Sequence, residues 1–172
     1  MHRVDTTLAA LRRVVIRAVA LSLVVTVAGS VACGGQNSLS GSIADSHDLS
    51  FESVRLRLLT DQQVWELRYL APLEGGGEDI VAKIVVDVPA DGWSPGAAID
   101  LLAHNGRIER ITARNDPFPE PERAELTFSQ GGVDDGDDTA GRWGATFVNG
   151  KTVQGTFRAP LEHARFDETN AP

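Results

Sequence analysis

The sequence predicts an all-β fold: an antiparallel β-sandwich or, as the alternative, an open or closed β-barrel. Three observations predict it. From about Leu49 onward, short runs alternate apolar and polar residues with a period of two. Gly, Pro and Asn-Gly turn signals separate those runs. No stretch of this region holds a helical period with caps.

The elements follow in order. Val54, Leu56 and Leu58 alternate with Arg55 and Arg57, and Trp65, Leu67 and Tyr69 alternate with Glu66 and Arg68. With Asp61-Gln62-Gln63 turning the chain between them, the two runs read as a hairpin with one apolar and one polar face. The three arginines form a basic stripe or, with Glu52 and Glu66 nearby, cross-strand ion pairs. Gly75-Gly76-Gly77 breaks the chain. Asp79–Val88 is apolar on both parities except at Lys83, which predicts a central strand buried on both faces. Pro89–Gly96 reads as a loop. Ala98–Ala103 and Arg107–Arg114 flank His104-Asn105-Gly106, whose Asn-Gly predicts a hairpin. Pro117, Pro119 and Pro121 exclude regular structure over their loop. Arg123–Gln130 alternates again.

Arg142–Val148 and Lys151–Ala159 flank Asn149-Gly150. A two-residue turn would mix the faces of this last hairpin. A three-residue loop, with Gly150 as the left-handed residue, pairs Phe147 with Lys151 and Ala145 with Val153. It then gathers Trp143, Ala145, Phe147, Val153, Gly155 and Phe157 on one side.

Charge divides the chain unequally. Removing Arg3, Arg12, Arg13, Arg17 and Asp5 from the 16 basic and 24 acidic residues leaves 12 against 23, a net charge of −11 for residues 33–172. Such a surface repels nucleic acid and anionic membrane faces, though it does not exclude a lipid anchor, which holds through covalent chains and not surface charge. The chain has one cysteine, Cys33, so no disulfide within the chain and no Cys-based metal site can form.

Met1–Arg17 is basic, and Ala18–Ala32 is an uncharged stretch too short to span a bilayer as a helix. Residues 1–32 therefore read as a signal peptide. Gly29-Ser30-Val31-Ala32-Cys33 resembles the lipobox cut by the lipoprotein signal peptidase, with Ser30 where the motif prefers Leu. The resemblance implies a bacterial lipoprotein with a diacylglycerol on Cys33, whose two or three acyl chains anchor it stably to a membrane. Ser30-Val31-Ala32 also suits the ordinary signal peptidase, which would release a secreted protein. Leu11-Arg12-Arg13-Val14-Val15-Ile16-Arg17 is similar to a twin-arginine export signal, but with Leu11 where that signal has Ser or Thr the plain basic leader is the better reading. Gly34, in place of an Asp after the lipidated residue, permits transfer to an outer membrane where the host has one. Residues 33–48 are then a lipidated cysteine and polar tether, and 49–172 a single β-rich domain. The domain resembles the small β-rich lipoproteins of bacterial envelopes.

The motifs for chemistry are sparse. Asp134, Asp135, Asp137 and Asp138 crowd four carboxylates together, a composition that suits Ca²⁺, though not with EF-hand spacing. The other reading is a solvated acidic loop. His47, His104 and His163 lack zinc spacing. There is no G-x-S-x-G elbow, phosphate-binding loop or dinucleotide fingerprint. Trp93 and Phe118, both in loops, are candidate ligand anchors or plugs for the sheet. The expected function is a membrane-tethered, non-enzymatic module that binds an envelope protein or supports an assembly. The alternatives are a carbohydrate- or calcium-dependent binding module and, third, a hydrolase of envelope polymers.

Overall fold

The computed structural model describes residues 37–89 and 94–166. Nine strands lie among them: β1 (Ser38–Ser40), β2 (Ser53–Leu59), β3 (Val64–Pro72), β4 (Glu78–Asp87), β5 (Ala98–Asp100), β6 (Arg107–Ile111), β7 (Pro121–Gln130), β8 (Asp138–Phe147) and β9 (Thr152–Ala164). They build one sheet in the order β5-β7-β8-β9-β2-β3-β4-β6, with β1 beside β9. The sheet curls into an open half-barrel, so the all-β expectation holds in its barrel form.

β9 makes the curl possible. Up to Pro160 it pairs antiparallel with β8, and from Leu161 to Ala164 it pairs parallel with β2. Proline has no N–H to give a ladder, and Pro160 stands where the strand passes from one set of partners to the other. Every other pairing is antiparallel.

The curl brings the inner face of β3 against those of β7 and β8. Trp65 meets Phe128 at 5.1 Å between ring centroids, and Tyr69 meets Trp143 at 6.1 Å. The Trp143 indole N–H donates to the Tyr69 hydroxyl at 3.0 Å, and that hydroxyl donates to the Thr156 carbonyl at 3.0 Å. Burial raises the Tyr69 phenol well above its ordinary pKa, so it stays a protonated donor. Gly155 makes room for the pair. A β-carbon there would lie 2.6 Å from the indole nitrogen and 2.7 Å from the phenol oxygen.

The last hairpin has the three-residue loop the residue pattern predicts. Ala145 faces Val153, Gly150 takes φ +76°, and the Phe147 N–H donates to the Lys151 carbonyl while its own carbonyl accepts from the Gly150 N–H. The first hairpin also forms as expected. The arginines pair with acids, Arg55 with Glu78, Arg57 with Glu162 and Arg68 with Glu66, without forming a free stripe. β4 is buried on both faces, though only β6 separates it from the sheet margin.

Three expectations need correction. His104-Asn105-Gly106 does not turn a hairpin. β5 pairs with β7 and β6 with β4, so the two runs lie on opposite margins of the open sheet. Asn105 does take the left-handed conformation, at φ +53°. Buried Leu101 and a 3-10 turn at Leu102–His104, capped by Asp100, instead carry the chain across the opening. Second, the polar stretch read as tether to residue 48 joins the domain from Asn37: Ser38–Ser40 pairs with β9 and Ile43 is fully buried. A few apolar side chains with backbone pairing suffice to dock a segment of polar composition. Third, Pro121 opens β7, because the first residue of a strand tolerates the missing donor.

Tyr69→Phe should strand the Trp143 N–H in the core. The expected cost is about 1–3 kcal/mol, read as a lower urea midpoint at unchanged slope.

Candidate functional site

The inner face is filled by its own aromatic and aliphatic side chains. Chemistry is therefore sought on the outer faces. Alternation in β3 turns Trp65, Leu67 and Tyr69 inward and Glu66 and Arg68 outward. Register sets Arg68 directly opposite Lys83 on β4, two like charges side by side. Two carboxylates relieve them. Glu66 Oε1 lies 2.8 Å from Arg68 Nη2 and its Oε2 lies 3.4 Å from Lys83 Nζ, which also stands 3.4 Å from Glu109 Oε2. Glu66 is the one buried carboxylate among the described residues, at 3% exposure. Its Oε1 is at ion-pair distance from Arg68 but has no partner aligned as a hydrogen bond.

A recess of about 270 Å³ opens over this cluster. Leu59, Val64 and Val85 give it apolar walls, and Glu66, Lys83, Asp87, Asn105 and Arg107 polar ones. Asn105 is fixed by donating to Asp87 Oδ2 at 2.6 Å. Phe166 lines it too and is 47% exposed. No Ser, Cys or His is among the described residues lining it. It offers a slot for one or two side chains, with charges of both signs at fixed positions.

The residues singled out from the sequence do not converge there. Cys33 and Trp93 lie outside the described residues. Phe118 is buried, stacked near Phe147 at 5.5 Å and His47 at 5.4 Å, so it plugs the sheet and is no exposed anchor. Three carboxylates of the acidic loop, those of Asp135, Asp137 and Asp138, have protein partners. Asp137 accepts from the Asp134 N–H at 3.0 Å and Asp135 from the His163 N–H at 2.8 Å. The Arg158 guanidinium, hydrogen-bonded to Asp138, holds that carboxyl below the usual range. Among the described residues no group of three or more His, Cys, Asp or Glu is placed to hold a metal ion. His163 bonds the Val133 carbonyl through Nε2, and His47 bonds Ser46 and the Pro117 carbonyl.

Arg110 was not singled out by motif. It shares the inward parity of β6 with Ile108 and is buried. Its Nη1 donates to the Asp48 carbonyl at 2.9 Å and the Val81 carbonyl at 3.1 Å, and its Nε lies 3.2 Å from Asp116. The Phe118 ring lies beneath the guanidinium at 5.8 Å. One side chain thus ties together the entry segment, β4 and the Pro-rich loop. A charged residue on the apolar parity of a strand was the available signal.

No family model, no characterised protein and no solved structure matches this chain.

Glu66→Ala leaves Arg68 and Lys83 facing each other with little solvent. The expected loss is about 3 kcal/mol, the lower end for breaking a buried pair because both cations keep some exposure, measured by urea unfolding. Acid should act through Asp116. Its carboxyl is held below the usual range first by the hydroxyl of Thr112 and then by Arg110. A depressed folded pKa contributes stability above the ordinary carboxylate value and loses it as pH falls through the folded value. The unfolding midpoint should therefore hold steady from neutral pH and fall below the Asp reference of 3.8. Asp116→Asn should flatten part of that fall.

Proposed function

We propose that this chain is a lipid-anchored, non-enzymatic binding module of a bacterial cell envelope. It is held to the membrane through Cys33 and engages an envelope protein through the outer face of β2, β3, β4 and β6. One observation carries the reading: the interior is packed with side chains, and the recess above Glu66 and Lys83 opens outward. A β-barrel that carries a small ligand keeps its interior open, whereas a domain with a filled core recognises through its surface.

The recess has the ingredients of a protein contact. Arg107 and Phe166 stand exposed beside it, and Arg and aromatic residues dominate binding energy where they become buried on association. The fixed charges behind them would set which partner side chains are accepted, because an unpaired charge left in a dry contact is costly. The net charge of −11 for residues 33–172 disfavours nucleic acid as that partner. Gly34 is consistent with transfer to an outer membrane where one exists.

The test is in-cell photocrosslinking in the native host, with the photoreactive residue at position 107 and, as control, at position 127 on the opposite outer face. A single protein captured from 107, absent from 127 and lost with Cys33→Ser supports an anchored binding module. Capture at neither position, with the lipoprotein recovered alone, would sink it.

A further inference from the structure

The inference rests on the lipid at Cys33 and concerns which side of the domain then meets the bilayer. Contact with the sheet begins at Asn37, whose side-chain oxygen accepts from the Arg158 N–H at 2.6 Å. Ser38 follows opposite Thr156, their hydroxyls 2.7 Å apart, and Leu39 packs on the core. Asn37 is thus a fixed point, and Cys33 lies four positions before it. Four residues reach at most about 14 Å. The headgroup layer of one leaflet takes roughly 5–7 Å of that. Asn37 must therefore sit within about 10 Å of the headgroup surface.

That distance rules out both upright poses. Beyond Arg158, β9 runs on to Ala164, about 20 Å at the usual strand rise. The Asp134–Asp138 loop lies along this end, with Gly136 and Asp137 bonded to Leu161. Turning this end to the bilayer would drive a strand end and a row of carboxylates into the headgroups. In the other direction, β9 extends back to the Asn149–Gly150 turn, about 26 Å away. β9 must lie along the membrane, with the side that carries β1 toward it.

The chemistry of that side agrees. The outer face of β1, β9 and β8 presents Ser38, Ser40, Gln154, Thr156, Arg142 and Arg158. Two carboxylates on it are paired, Asp138 with Arg158 and, farther along β9, Glu162 with Arg57, while Glu125 and Asp100 stand across on β7 and β5. Between Gln154 and Arg158, beside β1, it is a patch of hydroxyls, an amide and guanidinium groups on a chain that is acidic elsewhere. A hollow of about 210 Å³ lies between Ser38, Ser40, Arg142, Gln154 and Thr156, with the exposed Arg142 at its side. Hydroxyl donors beside a guanidinium suit a phosphate oxygen.

We propose that the outer face of β1, β9 and β8 is the membrane-facing side of the anchored domain, and that the hollow beside Arg142 takes a lipid headgroup phosphate. The opposite outer face, with Glu66 and Lys83, then points away from the bilayer.

The test uses the full chain, expressed and processed in its host and reconstituted into phosphatidylcholine vesicles carrying a headgroup-linked quencher. A fluorescent non-natural residue is placed at position 127 or at position 109, on the two outer faces. Quenching should be several-fold stronger at 127 than at 109, and Arg142→Glu should reduce it at 127. Equal quenching, or stronger quenching at 109, overturns the orientation while leaving the anchor intact. The mass of the Cys33 peptide is read in the same sample. A peptide without acyl chains overturns the anchor itself and this proposal with it.

Discussion

The two halves of the curled sheet are held face to face where Tyr69 of β3 meets Trp143 of β8, and most of the architecture is arranged around that contact. Aromatic rings supply large buried area, but a phenol and an indole each bring a polar atom that must be satisfied. Here each satisfies the other, and the chain of donors ends on the Thr156 carbonyl of β9. Three strands from both sides of the fold therefore share one dry hydrogen-bonded seam. Gly155 is the condition for it, because any side chain at that point would occupy the space of the two polar atoms. The neighbouring Trp65–Phe128 and Phe128–Phe157 contacts continue the seam along the interior.

Filling the interior has a functional side. Once the rings close the concave face, buried charge appears only where geometry gives it a partner. Arg110 closes the gap beside β6 with backbone carbonyls and Asp116, which is a structural use of charge. Glu66 differs, because it sits under an outward recess and holds two cations that register would otherwise leave opposed. The proposed binding face and the proposed membrane face are the two outer surfaces of the same curled sheet. A domain built this way can rest on one side and present the other.

Period-two alternation made the inner and outer faces legible from the sequence, because it survives whatever the strands later pair with. The loop of the last hairpin was legible too, since only one register kept Trp143 and Phe147 on the side of Val153 and Phe157. Pairing between distant strands was not legible. Nothing local says that β5 and β6, six residues apart in the chain, belong to opposite margins, and Asn105-Gly106 gave the usual hairpin cue while serving a crossing turn. The polar composition of Asn37–Asp48 hid its docking, because backbone hydrogen bonds leave no mark in composition. Of the candidate site, the outward parity of Glu66 and Lys83 could be read, but their approach depends on the β3–β4 register and its bulge near Leu70. The acidic run drew attention by density alone, and three of its carboxylates bond backbone N–H groups or Arg158.

The double role of β9 carries a consequence for when the fold can form. Residues 152–164 supply partners to β8, β1 and β2, and the parallel pairing joins Leu56 to Leu161 across most of the domain. Pairings so distant in sequence close late, because their loop entropy is lost before contact is gained. Until β9 has been made, β1 lacks its partner, and the hairpins on either side of the seam have nothing to join them into one sheet. A chain in which the last described strand completes the core cannot close its sheet until that strand has been made, whatever its earlier hairpins have already formed.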